Sequence, residues 1–127
     1  MIINIKKIEL LSERYYEILD LYSYLSTINS DILSFEKFKS IIKELPDNHN
    51  IYVFIENKKI VGAITLFIEQ KLIHGGKCVG HIEDFVVHEN YRNKNIGKSL
   101  LDNVIIKSKI QNCYKCILDC DEKLVKY

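Results

Sequence analysis

Apolar residues recur along this 127-residue chain with two periods, and the changes between them mark its elements. "IINIKKIEL" alternates apolar and polar positions and predicts a first strand. In "SERYYEILDLYSYLST", Tyr15, Ile18, Leu19, Tyr22 and Leu25 fall at helical spacing, and Ser12 offers an N-cap. "SFEKFKSIIKEL" repeats that spacing with Phe38, Ile41, Ile42 and Leu45, capped by Ser34 and stopped by Pro46. "IYVFIENKKIVGAITLFIEQ" predicts a hairpin about Asn57-Lys58, in which Gly62 marks a bulge or a close approach. "CVGHIEDFVV" is the next strand, "HENYRNKN" a turn, and "IGKSLLDNVIIKSKIQ" a helix with Ile96, Leu100, Leu101, Val104 and Ile105 on one face. "CYKCILDC" predicts a last strand and "DEKLVKY" the start of another helix.

This order of elements predicts an α+β, or mixed α/β, fold: a mostly antiparallel sheet flanked by helices, ending in a βαβ unit whose two strands run parallel. The length predicts one domain spanning residues 1–127, with enough chain to bury a core without disulfides or metal.

Composition narrows the class. A net charge of +1 gives no global attraction for nucleic acid or an anionic membrane. No run of about 20 apolar residues is present, and the charged N-terminus is unlike a secretory signal, so a cytoplasmic protein is expected. The four cysteines then read as thiols, and their spacing lacks the second cluster of a zinc site, so no metal is expected.

Two features carry candidate chemistry. Glu83 and Asp84 lie side by side within an apolar strand. Adjacent strand residues point to opposite faces, so both can serve one site only if the strand bulges there; otherwise one faces solvent and the other pairs with a lysine. Downstream, "RNKNIGKS" leads a strand into a helix. The first amides of a helix and its dipole favour an anion, Gly97 permits close approach, and Asn93 and Asn95 tolerate left-handed turns. Arg92, Lys94 and Lys98 add charge. Neither a Walker loop nor a dinucleotide fingerprint is present.

"YRNKNIGKSLL" resembles the acetyl-CoA pyrophosphate loop of the GNAT acetyltransferases, with Arg92, Asn95 and Gly97 at its three pattern positions. The flanking "VGAITLFIEQKLIH", "GHIEDFVV", "IGKSLL", "NCYK" and "ILDCDEKLVK" resemble the eukaryotic-type glucosamine-6-phosphate N-acetyltransferases from Val61 to Lys126. Before Val61 the resemblance rests on element order and on "LSTIN" and "SFEKF". It implies the GNAT acyl-CoA N-acyltransferase fold, acetyl-CoA as cosubstrate, glucosamine 6-phosphate as acceptor, and a homodimer. Arg92, Asn93, Lys94, Asn95, Ile96, Gly97 and Lys98 would meet the coenzyme pyrophosphate, and Phe85, Val86 and Val87 its pantetheine arm. Glu83, Asp84 and Asp119 would hold the sugar and its amine, with Asp119 assisting deprotonation. Ser26, the segment Lys71, Leu72, Ile73 and His74, and the pair Tyr114 and Lys115 would contact the acceptor.

The family's pattern continues past Tyr127, through a tyrosine that protonates the leaving thiolate and one further strand, so the chain is expected to lack that last strand. Leu124 stands where the pattern has an asparagine. An acetyltransferase for another amine, or a noncatalytic acetyl-CoA-binding module, are the alternative readings; the residues around the carboxylate pair argue against the former, and Leu124 is the best support for the latter.

Overall fold

The computed structural model describes residues 1–118. The expectations for Asp119, Cys120, Leu124 and Tyr127 fall outside the described residues.

The first element is shorter than the alternation predicts. Strand β1 covers Ile2–Asn4, and a 3-10 turn, Ile5–Lys7, follows at once. The Asn4 side chain accepts from the Lys6 amide and draws the backbone out of extension. Helix α1, Ser12–Tyr22, begins one residue early: Leu11 holds the extended cap conformation, so Ser12 is the first helical residue and not its N-cap. Helix α2, Phe35–Glu44, is capped by Ser34, whose hydroxyl accepts from the Lys37 amide, and ends before Pro46 as expected.

Strands β2, His49–Glu56, and β3, Lys59–Gln70, form the hairpin. Asn57 and Lys58 both have positive φ, 52° and 64°, as a tight two-residue turn requires. A single turn, α3, spans Ile73–Gly76, with His74 and Gly75 in left-handed conformations. Strand β4 runs Cys78–Val87, a 3-10 turn covers Glu89–Tyr91, helix α4 spans Ile96–Ile110, and β5 covers Cys113–Leu118.

The sheet order is β1-β2-β3-β4-β5. Every neighbouring pair is antiparallel except β4 and β5, which run parallel on either side of α4. Two apolar layers follow. On one face α1 and α2 pack Tyr15, Ile18, Leu21, Phe38 and Ile42 against Val53, Ala63 and Val86. On the other, α4 packs Ile96, Leu100 and Val104 against Val61, Ile64, Leu66 and Ile82.

Gly62 answers to both expectations placed on it. A Cβ there would meet Leu100 at 3.0 Å and Ile96 at 3.2 Å, so the glycine lets the first turns of α4 settle on the sheet. The register shift of the β2–β3 ladder also falls opposite it, between Phe54 and Ile55. The orientation of α1 is fixed by charge: Glu17 accepts from Arg14 at 2.7 Å and from the Ile60 amide at 3.2 Å, and Arg14 donates to the Lys58 carbonyl. This ties α1 to the hairpin.

Candidate active site

The carboxylate pair sits on an irregularity of the ladder. Across β3 and β4, Thr65 pairs with Glu83 and Ala63 with Val86, so Asp84 and Phe85 together face the single residue Ile64. That is a β-bulge, and Asp84 absorbs it with φ of 47°. The bulge cancels the alternation of the strand: Glu83 and Asp84 both line one cleft of about 430 Å³, with His49, Thr65, Phe67 and His81. Among the described residues neither carboxylate takes part in an ion pair.

The remaining walls come from rungs of the same ladder. His49 is opposite Phe67 and Phe67 opposite His81, one row across β2, β3 and β4. The rings meet at 5.9 Å and 6.0 Å between centroids. Glu69 orients His81: its carboxylate takes the imidazole Nε2 at 2.9 Å and Lys71 Nζ at 3.0 Å. These partners, His81 first and Lys71 second, hold the Glu69 carboxyl below its ordinary value. Tyr22, at the end of α1, lines a separate apolar pocket with Ile5, Ile18, Leu33 and Phe38. Burial, and then the charge of Asp84, push its pKa up, against the hydrogen bond from Thr65. His49, Thr65, Phe67 and His81 were not singled out from the sequence. The signal available was the row of Thr65, Phe67, His81 and Glu83 at strand spacing, which becomes a wall only once β3 and β4 are paired.

The turn after β4 has the expected form. Asn93 and Asn95 take left-handed conformations, φ of 64° and 63°, and Asn95 starts α4 without a side-chain cap. The first amides of the helix thus have neither an intrahelical acceptor nor a cap. Ile96 and Gly97 are buried. The basic side chains are less available than the sequence implies. Arg92 Nε donates to the Val87 carbonyl at 3.1 Å, with its guanidinium over the Tyr24 ring. Lys94 lies over Tyr91, and Lys98 pairs with Asp102 at 2.8 Å, which raises the lysine's pKa.

The other predicted acceptor residues do not join this cleft. His74 stacks on Tyr114 with centroids 4.2 Å apart, and Lys115 Nζ lies near the Tyr114 ring. Lys115 pairs with Val79, four residues before Glu83, so this group lies roughly 13 Å along β4 from the carboxylates at about 3.3 Å per residue. Lys71 reaches the cleft only through Glu69, while Leu72 and Ile73 are exposed. Ser26 is exposed in the segment after α1. Phe85, Val86 and Val87 occupy the end of β4, beyond Ile82↔Leu118, the last described pair with β5. No three His, Cys, Asp or Glu side chains among the described residues gather as a metal site would need, and no described helix is long and apolar enough to cross a membrane.

A helix start without a cap, entered through left-handed asparagines at the end of a bulged strand, together with the sheet order, defines the class. The chain belongs to the Acetyltransferase (GNAT) family, whose pattern matches residues 10–126. Within it, the chain is 42% identical over 95 residues to glucosamine 6-phosphate N-acetyltransferase 1 of Dictyostelium discoideum, covering 72% of this chain and 59% of that protein. It is 44% identical over 69 residues to glucosamine 6-phosphate N-acetyltransferase of Trypanosoma brucei brucei, covering 54% of this chain and 47% of that protein. The match thus spans about half to three fifths of these curated relatives. The crystal structure of glucosamine-6-phosphate N-acetyltransferase from Arabidopsis thaliana superposes with a TM-score of 0.84 at 30% identity, over 97% of this chain and 83% of that one.

Proposed function

We propose that the protein transfers the acetyl group of acetyl-CoA to the amine of glucosamine 6-phosphate, by direct attack within a ternary complex. The observation that carries this reading is the bulge at Asp84, which turns two adjacent carboxylates into one cleft. An amino-sugar phosphate is cationic at one end and anionic at the other. The cleft offers carboxylates on the Thr65–Glu83 rung and imidazoles on the Phe67–His81 rung, about 7 Å away at two residues of strand rise. Carboxylates that accept from the ammonium and imidazoles that donate to the phosphate therefore suit an acceptor with both groups.

In this reading Glu83 and Asp84 hold the ammonium and orient the nitrogen, and Asp119 assists its deprotonation. The amine lone pair attacks the thioester carbonyl, forming the C–N bond as the C–S bond breaks. The thiolate leaves and takes up a proton. Backbone groups from Phe85 to Val87 align the thioester and polarise its carbonyl. The pyrophosphate lies against the first amides of α4, from Asn93 to Lys98. Arg92 braces this loop from behind. The products are CoA and N-acetylglucosamine 6-phosphate. The protein acts in the cytoplasm as a homodimer; Leu72, 95% exposed beside the His74–Tyr114 contact, is the apolar surface a second copy would cover.

Steady-state release of CoA thiol tests the reading. Release from acetyl-CoA that depends on glucosamine 6-phosphate is the expected result. Release only with other amines assigns a different acceptor, and coenzyme binding without turnover refutes enzymatic function.

A further inference from the structure

The end of α1 and the residues just after it reach the turn that follows β4. Asp20 Oδ2 lies 3.4 Å from His88 Nε2 in the turn after β4. His88 Nδ1 accepts from the Asn90 amide at 3.2 Å, which leaves Nε2 to carry the proton toward Asp20. Tyr24 meets the same turn: its ring lies 5.1 Å from the guanidinium carbon of Arg92 and 5.7 Å, edge-on, from His88. His88 also meets Tyr91 edge-on at 5.8 Å, and its amide donates to the Val61 carbonyl on β3. With Arg92 Nε on the Val87 carbonyl, Arg92 is held between the end of β4 and the Tyr24 face.

We propose that Tyr24 is a positioning residue that holds the Arg92–Lys98 loop in its donor-binding conformation, by stacking on Arg92. Arg92 thereby acts as the strut of the loop. Such a strut has a purpose here because Asn93 and Asn95 hold left-handed conformations with no side-chain cap on the helix they introduce. A planar guanidinium has both the face for the ring and an N–H for the carbonyl; an ammonium has no planar face. The functional part of this inference rests on the proposed reading that the loop binds the coenzyme pyrophosphate.

Three single variants, Tyr24→Leu, Tyr24→Phe and Arg92→Lys, and one double variant test it, read first by hydrogen exchange. Tyr24→Leu is expected to speed exchange of the amides from Asn93 to Lys98 about fivefold, the size of an exposed cation–π contact, while core amides such as Val53 and Ile64 keep their protection. Tyr24→Phe keeps the ring and is expected to exchange like the parent. The double variant Tyr24→Leu/Arg92→Lys should be no looser than Arg92→Lys alone, because both remove one contact. The acetyl-CoA dissociation constant is expected to rise in step with loop exchange. Unchanged loop exchange in Tyr24→Leu, equal damage from Tyr24→Phe, or additive effects would each overturn the strut. If exchange changes as expected but the parent binds no acetyl-CoA, the strut stands and the proposed function fails.

Discussion

Asp84 joins a backbone role to a proposed chemical one, and three substitutions separate them. Its φ of 47° is a conformation that costs an ordinary L-residue about 1–2 kcal/mol and costs Asp and Asn less. Asp84→Asn keeps the tolerance and removes the charge. Asp84→Gly removes the side chain and the strain. Asp84→Ala removes the side chain and keeps the strain. Glycine is therefore expected to melt above alanine by about 4 °C, since 1 kcal/mol corresponds to roughly that shift for a chain of this length. In catalysis all three should fail alike. A hydrogen bond to a charged group is worth about 1.5–3 kcal/mol, so kcat/KM should fall about 10- to 150-fold in each. Thermal melts and thiol-release kinetics on the same preparations give both readouts. Asp84→Asn within twofold of the parent would remove the carboxylate from the proposed mechanism. Alanine melting with glycine would show that the bulge carries no left-handed cost.

Two further outcomes follow from packing and charge. A Cβ on Gly80 would lie 2.8 Å from Ser108 Oγ and 3.2 Å from Cys116 Sγ, and Ser108 is held by its 2.7 Å bond to the Val104 carbonyl. Gly80→Ala should cost about 1–3 kcal/mol and Ser108→Gly should restore much of it; an unchanged melting temperature for Gly80→Ala would refute this packing. Glu69 has a folded pKa below its ordinary 4.5, so its contribution to stability is present above that value and is lost as pH falls through the folded pKa. The melting advantage of the parent over Glu69→Gln should thus be full at pH 6 and shrink below about pH 4.5; an advantage that grows on acidification would contradict the His81 and Lys71 pairing.

Most elements were legible because their signals are local. Ser34, Pro46 and the Asn57-Lys58 turn each act within a few residues, and the limits of β4 match the apolar run from Cys78 to Val87. Ser12 misled because Leu11 already takes the cap conformation, which follows from the approach of the chain. The bulge was legible only as a condition: adjacent carboxylates needed one, but its placement is set by β3, where Ile64 alone faces Asp84 and Phe85. His49, Phe67 and His81 lie on three strands, and their common row is a property of register that no single segment carries. The bracing of Arg92 by Tyr24 joins residues far apart in the chain, so the arginine was legible as a charge and a loop-pattern position but not as a stacked one.

The strand order has a consequence for how the molecule forms. Because spatial order repeats chain order from β1 to β5, each strand emerging during synthesis finds its partner already made. The β2–β3 hairpin closes over two residues, whereas β1 must wait for α1 and α2 before it meets β2. Closure entropy therefore favours β2–β3 as the earliest pair. The bulge at Asp84 belongs to the β3–β4 ladder alone, so bringing the two carboxylates together requires β4 docked on that hairpin and no contact with β5.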